Sequence, residues 1–339
     1  VRVLAAPDKF RGTATASEVA AAVSAAVRTA AGAGSRTRQV PMSDGGEGFT
    51  EAFGGANKVS VVTGPLGDPT PAGWRLQAKT AVIEMAQASG LVLAGGAEGN
   101  DPIAASTRGT GELIAEALDL GARRIFVGHG GSATTDGGLA ALQALFPTPR
   151  LRGVELIAAV DVRCRFLDAA RVFAGQKGAT PSQVELLSRR LERLAGVYLE
   201  DHGVDVTTIE GGGAAGGLAG GLAAVGAQVV SGFDLIAEEL ELVDAVEEAD
   251  LVVTGEGFVD EASFDGKVVG GMAELAAEVG VPLLVIAGEV LEGALDGHVD
   301  PADDAVRVVS LVERFGRERA LGDVLGCIGE VVASDLAAR

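Results

Sequence analysis

One stretch limits what this chain can fold into more than any other: Val127–Gly138, VGHGGSATTDGG. The apolar run before it, Arg124 to Val127, reads as a short buried strand that discharges into Gly128, Gly130 and Gly131. Ser132, Thr134, Thr135 and Asp136 follow, and Gly137 and Gly138 open an Ala/Leu-rich helix. A strand that ends in glycines and small hydroxyls ahead of a helix N-terminus presents bare backbone N–H groups to an anion. Ser132 and Thr134 add short donors, and Asp136 can hold a cation or orient a hydroxyl. An ordinary strand-to-helix turn needs one capping residue; it does not need five glycines. The stretch therefore reads as a phosphate grip contacting its ligand through Gly130, Gly131, Ser132 and Thr134, with no long basic side chain.

The same pattern recurs along the chain. Val1–Ala6 reads as a first strand running into Pro7–Thr13, where Lys9 and Arg11 can offset phosphate or carboxylate charge. A helix over Ser17–Ala30 follows, capped by Thr15 or Ser17. Thr37–Pro41 is a second strand, emptying into Met42–Gly48, MSDGGEG. There Asp44 and Glu47 stand three apart among glycines that permit close approach of a ligand. Ser43, Asp44, Gly45, Gly46 and Glu47 are accordingly read as substrate or magnesium contacts, against the simpler reading of a capped helix start. Further strands are expected at Leu156–Val160, leading to Asp161, and at Leu251–Thr254, Leu283–Ala287 and Val306–Leu311. The turn Thr254–Lys267 holds Glu256 and Asp260, suited to Mg2+, and Lys267, suited to a phosphoryl oxygen.

Strands alternating with helices imply a parallel sheet flanked by helices, with the ligand beyond the carboxyl ends of the strands. Between about residues 56 and 84 the pattern changes to extended segments around Gly64–Pro69, a hairpin-like interruption. Two domains are expected: 1–55 with 106–147 and 233–339, and 56–105 with 148–232, leaving a cleft between them. A chain of 339 residues is long enough for both. Aromatic residues make up only 4 % of it, so the cores must be built from Ala, Val and Leu.

Charge excludes one class of partner. The formal net charge is −20, and nucleic-acid binding needs a basic surface that releases counterions. Two cysteines, Cys164 and Cys327, offer neither a disulfide framework nor zinc spacing. With no signal-like segment ahead of the first strand and no apolar run of membrane-spanning length, a cytoplasmic protein without a membrane partner is expected. A homo-oligomer stays open.

Other motifs offer rival chemistry. Gly266-Lys267 lacks the partner glycine and following hydroxyl of a Walker turn. Gly211, Gly213 and Gly216 form a GxGxxG, with Asp234 at a dinucleotide-like distance, so an NAD(P)-dependent oxidoreductase is the rival reading; close packing of a Gly/Ala helix face explains the same residues. His129, His202 and His298 have no metal-ligand spacing, and no G-x-S-x-G elbow is present.

Taken in order, the segments resemble bacterial glycerate kinases of the two-domain type. They are APDKFRGT at Ala6–Thr13, PMSDGGEG at Pro41–Gly48, VIEMAQASGL at Val82–Leu91 and TRGTGELI at Thr107–Ile114. GHGGSATTDGG at Gly128–Gly138, GQKGA at Gly175–Ala179, GGGAAGGL at Gly211–Leu218 and the Thr254–Lys267 turn complete the set. The resemblance implies ATP- and Mg2+-dependent phosphorylation of D-glycerate at its 2-hydroxyl, giving 2-phosphoglycerate and ADP. It implies a flavodoxin-like α/β domain with a second α/β domain interleaved in sequence. It also adds Lys177 and Gly213 to the substrate- and phosphate-binding set. Asp44, Asp136 and Asp161 are the candidates for accepting the hydroxyl proton, and Asp44, Glu256 and Asp260 for holding the metal. The chain departs from the family pattern between Asp161 and Gly175, where Cys164–Asp168 replaces an Asn-Pro-Leu segment. That departure keeps a catalytically weakened sugar-acid-binding paralogue as a further alternative.

Overall fold

A computed structural model describes residues 1–264, 267–298 and 305–339, with the Ala262 side chain left out. Eleven strands are present among them: β1 (Arg2–Ala5), β2 (Arg36–Gln39), β3 (Lys58–Thr63), β4 (Pro69–Gln77), β5 (Thr80–Glu84), β6 (Arg124–Gly128), β7 (Glu155–Val160), β8 (Gln228–Ser231), β9 (Leu251–Val259), β10 (Leu283–Val290) and β11 (Val306–Ser310). They form two sheets in two compact units, one made of Val1–Asp44 with Phe233–Arg339 and the other of Gly45–Gly232.

In the first unit the strand order is β11-β10-β9-β1-β2, and every pairing is parallel. Counted within the unit this is 2-1-3-4-5, the flavodoxin order. Val3 to Ala5, Leu251 to Val253 and Leu283 to Ala287 are buried throughout, which is why these strands read as unbroken apolar runs instead of alternating ones. The helix Ala16–Ala31 starts in a capping box: Thr15 Oγ1 accepts the Glu18 N–H at 3.2 Å and Glu18 Oε2 accepts the Thr15 N–H at 2.9 Å. Its buried face, Val19, Val23 and Val27, joins one core with Ile328, Val331 and Val332 of the helix Val324–Ala338.

In the second unit β3, β4 and β5 form antiparallel pairs, and β5 through β8 continue the sheet in parallel. The hairpin-like interruption is thus the antiparallel edge of this sheet. Trp74 is fully buried beneath it and donates its indole N–H to Ser60 Oγ at 2.9 Å.

Two expectations need correction. The sequence pattern places residues 45–55 and 106–147 in the flavodoxin-like domain, but β6 pairs with β5 and β7, Val82 opposite Phe126 and Phe126 opposite Ile157. An all-apolar strand fits any doubly covered slot, so its own pattern does not say which sheet it enters. The GxGxxG also fails its structural condition. The run Val204–Ile209 forms no strand, only a 3-10 turn at Val206–Thr208, and the helical segment Ala214–Ala224 carries left-handed backbone at Ala215, Gly216 and Gly217. A dinucleotide turn must leave a strand, so the oxidoreductase reading falls. Among the described residues no helix is long and apolar enough to cross a membrane.

Candidate active site

In a flavodoxin-order sheet the ligand crevice opens where neighbouring connections depart to opposite faces, between the first and third strands. Here those strands are β1 and β9, and Thr254 Oγ1 donates to the Ala6 carbonyl at 2.7 Å across them. A cavity of ≈ 250 Å³ lies at their carboxyl ends, with Asp8, Lys9, Arg11, Asp44, Glu256, Asp260 and Lys267 in its wall. Gly257 lets the turn after β1 close on β9: a Cβ there would stand 3.1 Å from both the Arg11 nitrogen and the Phe10 Cα. Lys9, Arg11, Asp44, Glu256, Asp260 and Lys267 were all expected from the sequence, and one cavity collects them. Ser43, beside Asp44, is fully buried.

Carboxylates crowd this cavity. Asp8 is 5 % exposed, accepts the Lys9 backbone N–H at 2.6 Å and sits 3.5 Å from the Lys9 ammonium. Burial pushes its carboxyl up to about 7, Lys9 pulling it down and Asp44 and Glu256 adding to the rise. Glu256 is also raised, first by burial and further by Asp44 and Asp260, while Ser263 and Lys267 oppose the shift. Its Oε1 is buried with no hydrogen-bond partner among the described residues. Asp260 Oδ1 accepts from the Ser263 N–H and hydroxyl at 3.0 and 3.2 Å, so this carboxylate is partly engaged by its own turn. Asp8 was missed because a single acid beside a lysine reads as a surface pair. At the same cavity Arg317 Nη1 lies 2.9 Å from each oxygen of Glu289, a pair 28 positions apart with no local motif to join it.

In the second unit the turns meet backbone to backbone. The Gly128–Gly138 turn leaves β6 and packs on the Gly45–Gly48 turn: a Cβ on Gly130 would come 2.3 Å from the Gly46 Cα, and one on Gly128 2.7 Å from the Gly45 carbonyl oxygen. Only glycine permits that approach. Glu84, at the end of β5, is buried and receives the Gly48 and Thr50 backbone N–H groups and the Gln87 side chain; burial holds its carboxyl above the usual range. It anchors the first turn from inside, a role hidden in the sequence by its place at the tip of an apolar strand. His129 is 3 % exposed, its Nδ1 lies 2.8 Å from the Val127 carbonyl and its Nε2 is buried without a hydrogen-bond partner among the described residues. Burial lowers it to about 4, so the imidazole is neutral at physiological pH.

Gly45, Gly46, Gly130, Gly131, Ser132, Thr134 and Lys177 come together in this region. Lys177 Nζ donates to Ser132 Oγ and to the Thr134 carbonyl, each at 2.7 Å. The Thr134 hydroxyl is fully buried and turned to the Ala215 carbonyl at 3.3 Å, so of the two expected hydroxyl donors Ser132 is the better placed. Glu47 is exposed, and Asp161 is half-buried at the end of β7. Two expected site residues are held by contacts inside this unit. Asp136 Oδ2 accepts from the Thr107 N–H at 3.0 Å and hydroxyl at 2.8 Å, and Oδ1 accepts the Gly138 N–H at 3.1 Å. Gly213 donates its N–H to the Cys164 carbonyl at 2.9 Å, and a Cβ there would meet the Arg165 carbonyl at 2.4 Å. The divergent segment after Asp161 is itself well packed, with Phe166 fully buried and edge-on to Tyr198 at 6.1 Å.

Fold and geometry describe a two-unit α/β protein whose parallel strands end in turns rich in glycine, hydroxyls and charged side chains. The profile of the glycerate kinase family matches residues 3–146 and 147–320. Glycerate 2-kinase of Escherichia coli K12 is 37 % identical over 350 residues, covering 92 % of this chain and 91 % of that protein. A glycerate kinase of Halalkalibacterium halodurans is 36 % identical over 353 residues, covering 92 % of each chain. A crystal structure assigned as glycerate kinase 2 from Salmonella typhimurium LT2 superposes with a TM-score of 0.81 at 32 % identity, covering 100 % of this chain and 98 % of that one. The chain belongs to the glycerate kinase family, and is therefore a kinase.

Proposed function

We propose that the protein transfers the terminal phosphoryl group of ATP to the 2-hydroxyl of D-glycerate, giving 2-phosphoglycerate and ADP. The observation that carries this reading is the switch-point cavity, where Lys9, Arg11 and Lys267 stand among carboxylates, in a chain so similar to the Escherichia coli glycerate 2-kinase. Phosphoryl transfer asks for in-line positioning and for spreading negative charge over donors. Lys9 and Lys267 offset phosphoryl charge, and Arg11 suits a bidentate clamp on a carboxylate. The backbone N–H groups of the glycine turns and the Ser132 hydroxyl bind oxyanions. Asp8, with its carboxyl raised to about 7, has the proton affinity of a base for the substrate hydroxyl; Asp44 and Asp161 remain alternatives for that proton.

The residues fit a magnesium ion. No cluster of three or more ligating side chains stands ready among the described residues, but Mg2+ is commonly held by one or two carboxylates together with nucleotide phosphates. Asp44 and Glu256 would hold it: each raises the other's neighbours by repulsion, and Glu256 Oε1 is an orphaned buried oxygen. Asp260 would assist from its turn. The ion would supply neutralisation of phosphate charge. ADP release coupled to a reporter, run over a panel of small hydroxy acids, tests the reading. D-glycerate should be the preferred acceptor, and NMR of the product should place the phosphate on the 2-oxygen. Absence of ADP release with D-glycerate, or a 3-phosphate product, overturns it.

A further inference from the structure

The glycine turn of the second unit has to attract an anion, yet between Val127 and Gly138 its one basic side chain is His129, which burial keeps uncharged. Positive charge comes instead from below. Lys177 is only 4 % exposed, and its recorded partners are two neutral oxygens, Ser132 Oγ and the Thr134 carbonyl. An ammonium buried on neutral partners gives up its hydration, a cost that packing alone does not require. Its backbone is held as firmly as its head. Asn100 Nδ2 donates to the Lys177 carbonyl at 2.9 Å and to the Ala133 carbonyl at 3.0 Å, stitching the lysine to the loop. Gly178 then turns with φ of 92°, where a Cβ would strike the Ala97 carbonyl at 2.2 Å. Because Ser132 Oγ accepts from the ammonium, its own proton is left to donate.

We propose that Lys177 is a positioning residue: from beneath the loop it orients the Ser132 hydroxyl toward the anionic ligand and supplies the charge that the loop's own side chains lack. It touches no substrate, unlike the direct contact expected of it from the sequence. The inference rests on the phosphoryl-transfer reading above, and binding measurements separate the two. Wild type, Lys177→Met, Ser132→Ala and the double variant are titrated calorimetrically with ATP and with D-glycerate, and their ADP release is followed in parallel. Lys177→Met should weaken one of the two ligands at least tenfold, Ser132→Ala should weaken it less, and the double variant should be no worse than Lys177→Met. Losses that multiply in the double variant, or unaltered binding of both ligands by Lys177→Met, overturn the proposal. A wild-type protein that binds these ligands without releasing ADP sinks the reaction and leaves the Lys177 comparison decisive; one that binds neither sinks both. If Lys177→Met does not fold, pH decides. The charged lysine is the competent form and burial lowers it to about 7, with Asp136 and Cys164 the titratable groups acting on it, so wild-type binding should fall above that pH. Both groups persist in Ser132→Ala, whose alkaline fall should be shallower; an unchanged fall overturns the proposal.

Discussion

In a chain of net charge −20, the two units build the turns at their strand ends from opposite materials. At the end of β1 and β9 the first unit uses charged side chains around a cavity, and its carboxylates repel one another. At the end of β6 the second unit uses main chain pressed on main chain, with one buried ammonium beneath. Side chains that face a cavity can be exchanged with little effect on folding, because their removal leaves no void in a packed interior. A turn whose atoms are backbone is function and framework at once. The first unit should therefore separate activity from stability under mutation, and the second should not.

The sharpest break would come at Gly216. Its φ is 68°, and a Cβ would stand 2.0 Å from the Thr134 carbonyl oxygen, so Gly216→Ala should yield little folded protein by circular dichroism. Gly34→Ala is the control, with open space around the added methyl, and should stay within about 0.5 kcal/mol of wild type in denaturant unfolding. Next in size is Asp8→Asn, which should cost about 10²- to 10⁴-fold in kcat if Asp8 is the base, while the protein remains as stable as before or gains. Its pH dependence has a definite sign. With the folded carboxyl raised to about 7 and the unfolded one near the ordinary value of about 3.9, only the native state holds this proton between those limits. Asp8 thus makes stability fall as pH rises from about 4 to about 7, and unfolding curves of wild type and Asp8→Asn should converge at the acid end of that window. Equal pH slopes for the two proteins would refute the assignment.

Asp136→Ala should cost about 3 kcal/mol, since it strands the Thr107 and Gly138 donors that the carboxylate now satisfies. If stability were unchanged and turnover abolished, Asp136 would return to the catalytic set and the contrast between the units would blur. Smallest of all is Arg317→Ala. The pair with Glu289 is well exposed, 65 % and 36 % by side chain, so its loss should stay below about 1 kcal/mol in denaturant unfolding.

What the sequence made legible follows from the same contrast. Glycines, hydroxyls and acids at the ends of apolar runs marked both clusters of turns, because local chemistry creates them: Lys9, Asp44, Glu256 and Lys267 share a cavity, and Gly46 touches Gly130. Contacts decided by distant packing were not visible. Nothing within Arg124–Gly128 tells that β5 and β7 flank it. Asp8 owes its raised carboxyl first to burial, with Asp44 and then Glu256, 248 positions away, adding to it, and the bonds of Thr107 to Asp136 join residues 29 apart. Gly213 resembled a nucleotide contact because a glycine that admits a ligand and one that admits another backbone are spelled alike.

The ends of the Gly45–Gly232 unit carry a consequence of their own. A Cβ on Gly45 would lie 3.4 Å from the Gly232 Cα, so the polypeptide enters and exits this body through a single doorway. A body with that arrangement can be spliced into a host at one surface point without stretching it. The 188-residue stretch should therefore be separable as a free-standing domain, and the flanking pieces rejoinable by a linker of a few residues.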